Sequence, residues 1–89
     1  MTKRTFVMRA PVEVMQYADA ATGAEIVLWL NQHNRAARLT LLGIVFREKR
    51  SVNTQVIELT DYVIYKKHLD DFTVVNEELF GTFYKEVSS

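Results

Sequence analysis

The residues with most scope for chemistry are four acids near the C-terminus, Asp70 and Asp71 followed by Glu77 and Glu78. Paired carboxylates transfer protons or hold Mg²⁺ when they converge in a cleft. Each pair here also has a structural place. Asp70 and Asp71 sit in a turn between two strand-like runs. Glu77 and Glu78 follow Asn76 in the first turn of a short predicted helix, where the backbone dipole favours negative charge. His33 and His68 are the only histidines, thirty-five residues apart and without a spaced ligand partner, and the chain has no cysteine. That is not a metal-binding pattern. No serine or threonine lies in a nucleophile-elbow context, and Gly23, Gly43 and Gly81 are too scattered to cradle a phosphate. The sequence therefore nominates no catalytic residue, no metal ligand and no cofactor, and a non-enzymatic protein is expected.

Two turns carry the candidate interaction surface. "REKRS" places Arg47, Lys49 and Arg50 at the tip of a predicted hairpin. These cations read either as a phosphate-contacting loop or as a solvated hairpin end of mixed charge. The second turn, "YKKHLDD", contributes Tyr65, Lys66, Lys67, His68, Asp70 and Asp71. The aromatic residues offer base-stacking platforms, but so small a domain needs most of them for its core; tyrosine, with its polar tip, suits a surface or interface.

Length and charge restrict the classes further. Eighty-nine residues make one domain, 1–89, because two cores would each be too small to bury enough apolar surface. Formal net charge is zero, but residues 1–50 carry eight Lys/Arg against four Asp/Glu and residues 51–89 carry three against seven, or +4 and −4. A bare polyanion selects a basic surface, so nucleic acid is the less favoured partner. The opposed halves attract each other within the fold or pair between copies as a homo-oligomer. No window reaches the roughly 18 apolar residues of a membrane span, so no membrane partner is expected. With no cysteine, a cytoplasmic location is the natural expectation.

The elements that must position these residues follow from periodicity. "VEVMQY" reads as a strand over 12–17, with Pro11 marking an edge or a break. "TGAEIVLWLNQHNR" reads as an amphipathic helix over about 22–35, with Thr22 and Glu25 as a capping box and Ile26, Trp29, Leu30 and His33 on one stripe. "RLTLLGIVF" is apolar on both alternating sets and is expected to be the central strand, with "VNTQVIELT" as its hairpin partner. "DYVIYKK" and "FTVV" form a second hairpin, Asn76 caps a helix over about 76–81 that Gly81 ends, and "TFYKEV" closes as a last strand. The expected fold is α+β: a mostly antiparallel sheet of five to six strands packed on one amphipathic helix.

The order "VEVMQY", capped helix ending in "WL", hairpin, then "DYVIY…FTVVNEELFGTFYKEV" resembles a family of small bacteriophage and prophage proteins of unknown function. Their pattern runs roughly "VEAxQW", a helix, a "TLEG"-like strand and a closing "PGDY/WIIKGVKGEFYPCKPDIFEKTYEEV". Val12, Glu13, Gln16 and Tyr17 match its first element, and Asp61, Tyr62, Ile64, Phe72, Leu79, Phe80, Tyr84, Glu86 and Val87 match its last. Leu59 and Thr60 stand where the family has Pro-Gly, "KKHLDD" replaces the hairpin glycines with one extra residue, and Val75 replaces a cysteine. The resemblance implies an accessory protein of a tailed phage or prophage, made in the bacterial host cytoplasm. It implies no mechanism.

The leading expectation is therefore a non-enzymatic phage accessory protein that binds a protein: a host factor, a defence component or its own copy. The alternatives are nucleic-acid binding through Arg35, Arg38, Arg47, Lys49 and Arg50 on one face, and sequestration of a small nucleotide by a basic and tyrosine-lined pocket.

Overall fold

The computed structural model describes residues 4–7, 12–83 and 85–86. Eight strands and two helices follow in the order β1 (Arg4–Val7), β2 (Val12–Gln16), α1 (Ala20–Asn31), β3 (Arg38–Thr40), β4 (Gly43–Arg47), β5 (Thr54–Ile57), β6 (Tyr62–Lys66), β7 (Asp71–Val75), α2 (Glu77–Phe83) and β8 (Lys85–Glu86). The class is α+β and every strand pair is antiparallel, as expected from the sequence. The strands divide between two sheets, one ordered β7-β6-β2-β1-β8 and one ordered β3-β4-β5. Pro11 and Tyr84 lie outside the described residues.

The five-stranded sheet has apolar side chains on both faces, which is why "VEVM" and "YVIY" read as near-continuous apolar runs. Register sets the faces. Met15 opposes Val63, and Glu13 opposes Tyr65, which opposes Phe72, so Met15, Val63, Tyr65 and Phe72 share one face. Against that face pack Ile26, Trp29 and Leu30 of α1 and Ile44, Phe46 and Ile57 of the smaller sheet, all buried. Each such aliphatic side chain contributes roughly 1.5–3 kcal/mol by leaving water. Trp29 meets Phe72 edge to face at 5.1 Å. On the other face, Val12, Val14 and Ile64 are covered by Phe80 of α2, which stacks on Tyr62 at 3.8 Å with the rings nearly parallel.

Helix α1 lies where the apolar stripe predicts but starts and ends earlier than 22–35. Asp19 is the N-cap: its carboxylate accepts from the Thr22 N–H at 2.8 Å, and the Thr22 hydroxyl oxygen accepts from the Asp19 N–H at 2.9 Å. The capping box is therefore Asp19 with Thr22, not Thr22 with Glu25. The helix ends at Asn31 because Asn34, at φ +61°, turns the chain left-handed. Arg35, the last residue of the predicted span, consequently lies beyond the helix, and Arg38 opens β3. At α2, Asn76 caps as predicted, accepting from the Leu79 N–H at 2.8 Å, but Gly81 is an interior position and the helix continues to Phe83.

The predicted central strand "RLTLLGIVF" is two strands. It folds back at Leu41 and Leu42, so that Thr40 opposes Gly43 and Leu39 opposes Ile44. Gly43 makes this reversal workable. Its φ is +131°, and a Cβ there would collide with the Ile57 carbonyl oxygen of β5. β4 is central only within the smaller sheet, and β2 is the middle strand of the larger one.

Candidate functional site

Five polar side chains converge where the loop after α1, the β4–β5 turn and the β6–β7 turn meet. Asp70 is their centre. The Tyr65 hydroxyl donates to Asp70 Oδ1 at 2.9 Å. His33 Nδ1 and Arg35 Nη2 stand 3.5 and 3.6 Å from the same oxygen, and Lys49 Nζ stands 3.7 Å from Oδ2. One half-exposed carboxylate thus faces a guanidinium, an ammonium and an imidazole.

The backbone holds this arrangement at a conformational cost. Asn34, Ala36 and Asp70 all have positive φ, at +61°, +52° and +49°, a region that asparagine and aspartate enter readily but that costs a residue such as Ala36 roughly 1–2 kcal/mol. The first two flank Arg35 and turn it inward, where it is only 5% exposed. Its guanidinium donates to the His33 carbonyl at 2.6 Å and the Asp70 carbonyl at 2.7 Å, and it lies 5.4 Å from the centre of the Phe72 ring. The Arg35 carbonyl in turn accepts from the Arg47 N–H at 2.7 Å, tying the loop to β4. Lys49 is anchored by donating to the Leu69 carbonyl at 3.0 Å. The His33 ring lies 4.5 Å from Tyr65 and 5.3 Å from Phe72.

These contacts set the acidities. The Asp70 carboxyl is held below the usual carboxylate value, first by the Tyr65 hydrogen bond and then by the charges of Arg35, Lys49 and His33. Tyr65 is pushed above the usual phenol value, first by burial and then by its bond to Asp70. The aspartate stays ionised and the phenol stays protonated through the neutral range.

Of the nominated surface, the structure brings Lys49, Tyr65 and Asp70 together and leaves the rest around them. Tyr65 is buried beneath the cluster rather than on the surface. The reason is the register, which puts it on the core face opposite Glu13 and Phe72. Arg50 and His68 are exposed, and Asp71 opposes Lys66 across β6 and β7. Lys67 reaches Glu13 at 3.8 Å. His33 is the member that sequence reasoning missed, and Arg35 was named only within the alternative basic face. His33 read as the last residue of an apolar stripe and Arg35 as the last residue of the predicted helix. The signal for them was Asn34, a residue that readily takes positive φ and ends a helix.

The basic set Arg35, Arg38, Arg47, Lys49 and Arg50 does not form one face. Arg35 and Lys49 turn inward to Asp70, while register puts Arg38 beside Val45 on the outer face of the smaller sheet, with Arg47 two residues further along that face. Arg38, Arg47 and Arg50 have no ion-pair partner among the described residues.

A second surface is apolar. Leu41 and Leu42, at the tip of the β3–β4 hairpin, are 107% and 74% exposed, and Leu39 and Leu28 are exposed as well. No Asp or Glu occurs between Glu25 and Glu48, so the hairpin is apolar and cationic along its whole length. Among the described residues no cluster of His, Cys, Asp and Glu is placed to hold a metal ion, and no helix is long and apolar enough to cross a membrane.

Fold and site together define a small α+β domain with two antiparallel sheets, an aspartate-centred polar cluster and a leucine-tipped hairpin. No protein-family model, no curated protein and no solved structure matches the chain.

Proposed function

We propose that the protein is a non-enzymatic accessory protein of a bacteriophage or prophage, acting in the host cytoplasm by binding another protein through the β3–β4 hairpin. The observation that carries this reading is the exposure of Leu41 and Leu42. Hairpin tips ordinarily use Asn, Asp or Gly, which satisfy the turn at no hydrophobic cost. Two leucines held largely in water gain little for the fold and gain up to roughly 1.5–3 kcal/mol each when a partner buries them. The partner's chemistry follows from the flanks. Unpaired Arg38 and Arg47, in a segment free of acids, fit an apolar groove edged by carboxylates. The phage setting rests on the resemblance of residues 12–87 alone.

The test uses immobilised wild-type protein and the double variant Leu41→Asp with Leu42→Asp, exposed to bacterial lysate, with each captured protein then purified and titrated against both forms. A protein that binds the wild type in a defined stoichiometry and loses at least about tenfold with the variant supports the reading. A light-scattering mass of twice the chain that returns to one chain in the variant makes the partner a second copy. If no captured protein and no self-association depends on the two leucines, the hairpin is not the binding element.

A further inference from the structure

Three groups that carry or accept positive charge surround Asp70, and none is at hydrogen-bonding distance from its carboxylate. His33 Nδ1, Arg35 Nη2 and Lys49 Nζ lie at 3.5, 3.6 and 3.7 Å, whereas a charge-assisted hydrogen bond brings such atoms to roughly 2.7–2.9 Å. Among the described residues Tyr65 alone makes that close contact. A carboxylate has two oxygens, and here they face four groups: Tyr65, Arg35 and Lys49, which donate, and His33, which donates when its Nδ1 carries a proton. The cations meanwhile are fixed by other means: Arg35 by two backbone carbonyls and Lys49 by the Leu69 carbonyl. The donor cage therefore does not depend on the carboxylate for its shape.

We propose that His33, Arg35, Lys49 and Tyr65 form a binding site for a phosphate group, which the Asp70 side chain fills when no ligand is present. Three phosphate oxygens match the four groups better than two carboxylate oxygens do. A dianion also balances Arg35 and Lys49, which Asp70 alone leaves with one excess positive charge. Arg35, almost wholly buried, is the floor of the site, and its planar guanidinium suits phosphate. Lys49, His33 and Asp70 are partly open to solvent, so a ligand has a way in. Asp70 leaves by rotating its side chain, since its backbone carbonyl is held by Arg35 and need not move. This site is separate from the hairpin tip, so neither proposal depends on the other.

The competing role of Asp70 makes the idea testable in a direction that a purely structural ion-pair cluster does not share. Binding of inorganic phosphate, a nucleoside 5′-monophosphate and the unphosphorylated nucleoside is measured by calorimetry and by amide chemical shifts at low salt, for the wild type, Lys49→Gln, His33→Gln and Asp70→Asn. The expected result is saturable phosphate binding with shifts confined to residues 33–36, 47–50 and 65–71. Lys49→Gln weakens it about tenfold, and Asp70→Asn strengthens it about tenfold, because a competing charge is removed. Tighter binding of the monophosphate than of inorganic phosphate identifies a nucleotide as the source; equal binding identifies free phosphate. Folding of each variant is checked by its amide spectrum, and His33→Gln keeps the proposal testable if Lys49→Gln unfolds. Absence of saturable binding up to about 10 mM, or weaker binding in Asp70→Asn, overturns the proposal.

Discussion

The Asn31 side chain completes both backbone hydrogen bonds of Ala37: its Oδ1 accepts from the Ala37 N–H at 2.6 Å and its Nδ2 donates to the Ala37 carbonyl at 3.1 Å. One amide thus does for Ala37 what a neighbouring strand would do, at the point where the chain leaves the last residue of α1 and enters β3. The pair fixes the loop that carries His33 and Arg35. Asn31→Ala leaves both groups of Ala37 without their partner and is expected to cost roughly 1–2 kcal/mol. Asn31→Asp keeps the acceptor, loses the donor and should fall between. Urea unfolding of the three proteins ranks them, and equal midpoints for Asn31→Ala and wild type would show that water replaces the amide without loss.

Gly43 is the residue on which the β3–β4 hairpin depends. Its φ of +131° is closed to side chains, and a Cβ would run into the Ile57 carbonyl, which is backbone and cannot turn away. Gly43→Ala is expected to destabilise by at least about 2 kcal/mol, through strain and separation of β4 from β5. Replacing Leu41 and Leu42 by aspartate in the same hairpin should change stability by no more than about 0.5 kcal/mol, because neither is buried. Thermal unfolding of both variants separates the residue that shapes the hairpin from those that decorate it.

Thr60 is a β-branched residue at φ +79°, in a turn closed by the Asp61 N–H donating to the Glu58 carbonyl at 2.9 Å. This is the third position of a turn that asks for glycine. Thr60→Gly removes the steric cost and keeps both backbone bonds, Thr60 N–H to the Tyr17 carbonyl at 2.8 Å and Gln16 Nε2 to the Thr60 carbonyl at 3.0 Å. Stability should rise by about 1 kcal/mol. A fall in the urea midpoint would mean that the threonine side chain makes a contribution larger than its strain.

What the sequence conveyed, and what it did not, follows from the range of the interactions. Ile26, Trp29 and Leu30 announced α1 because their spacing is local, and Asn76 announced α2 for the same reason. The α1 cap was misplaced because Asp19 with Thr22 and Thr22 with Glu25 offer the same three-residue spacing, and only the packed structure chooses between them. The fold-back at Leu41 and Leu42 was hidden because an apolar run reads as strand, and its one cue, Gly43, comes after the tip rather than in it. The Asp70 cluster was the least legible part. Its members come from three separate turns, at positions 33 and 35, 49 and 70, and from strand β6 at position 65, and their meeting depends on how two sheets pack.

The Tyr65–Asp70 bond should mark both ends of the pH–stability curve. Folding lowers the Asp70 pKa, chiefly through the Tyr65 hydrogen bond. A carboxylate of this kind contributes its full stabilisation above its unfolded pKa, near 4, and loses it as pH falls through the lower folded value. Asp19, lowered by its capping bonds to Thr22, behaves the same way. Folding raises the Tyr65 pKa, chiefly through burial. Its contribution is complete below the unfolded value, near 10, and is lost as pH climbs through the higher folded one. Through these three groups stability should fall below about pH 4 and fall again above about pH 10. Asp70→Asn should flatten the acid limb in part, leaving the share due to Asp19, and should lower the pH at which Tyr65 ionises in an absorbance titration. Tyr65→Phe should remove its own alkaline loss and return Asp70 towards the ordinary carboxylate range. Urea midpoints from pH 2 to pH 11 measure both limbs, and an Asp70→Asn curve superimposable on the wild type in acid would assign that limb to other carboxylates.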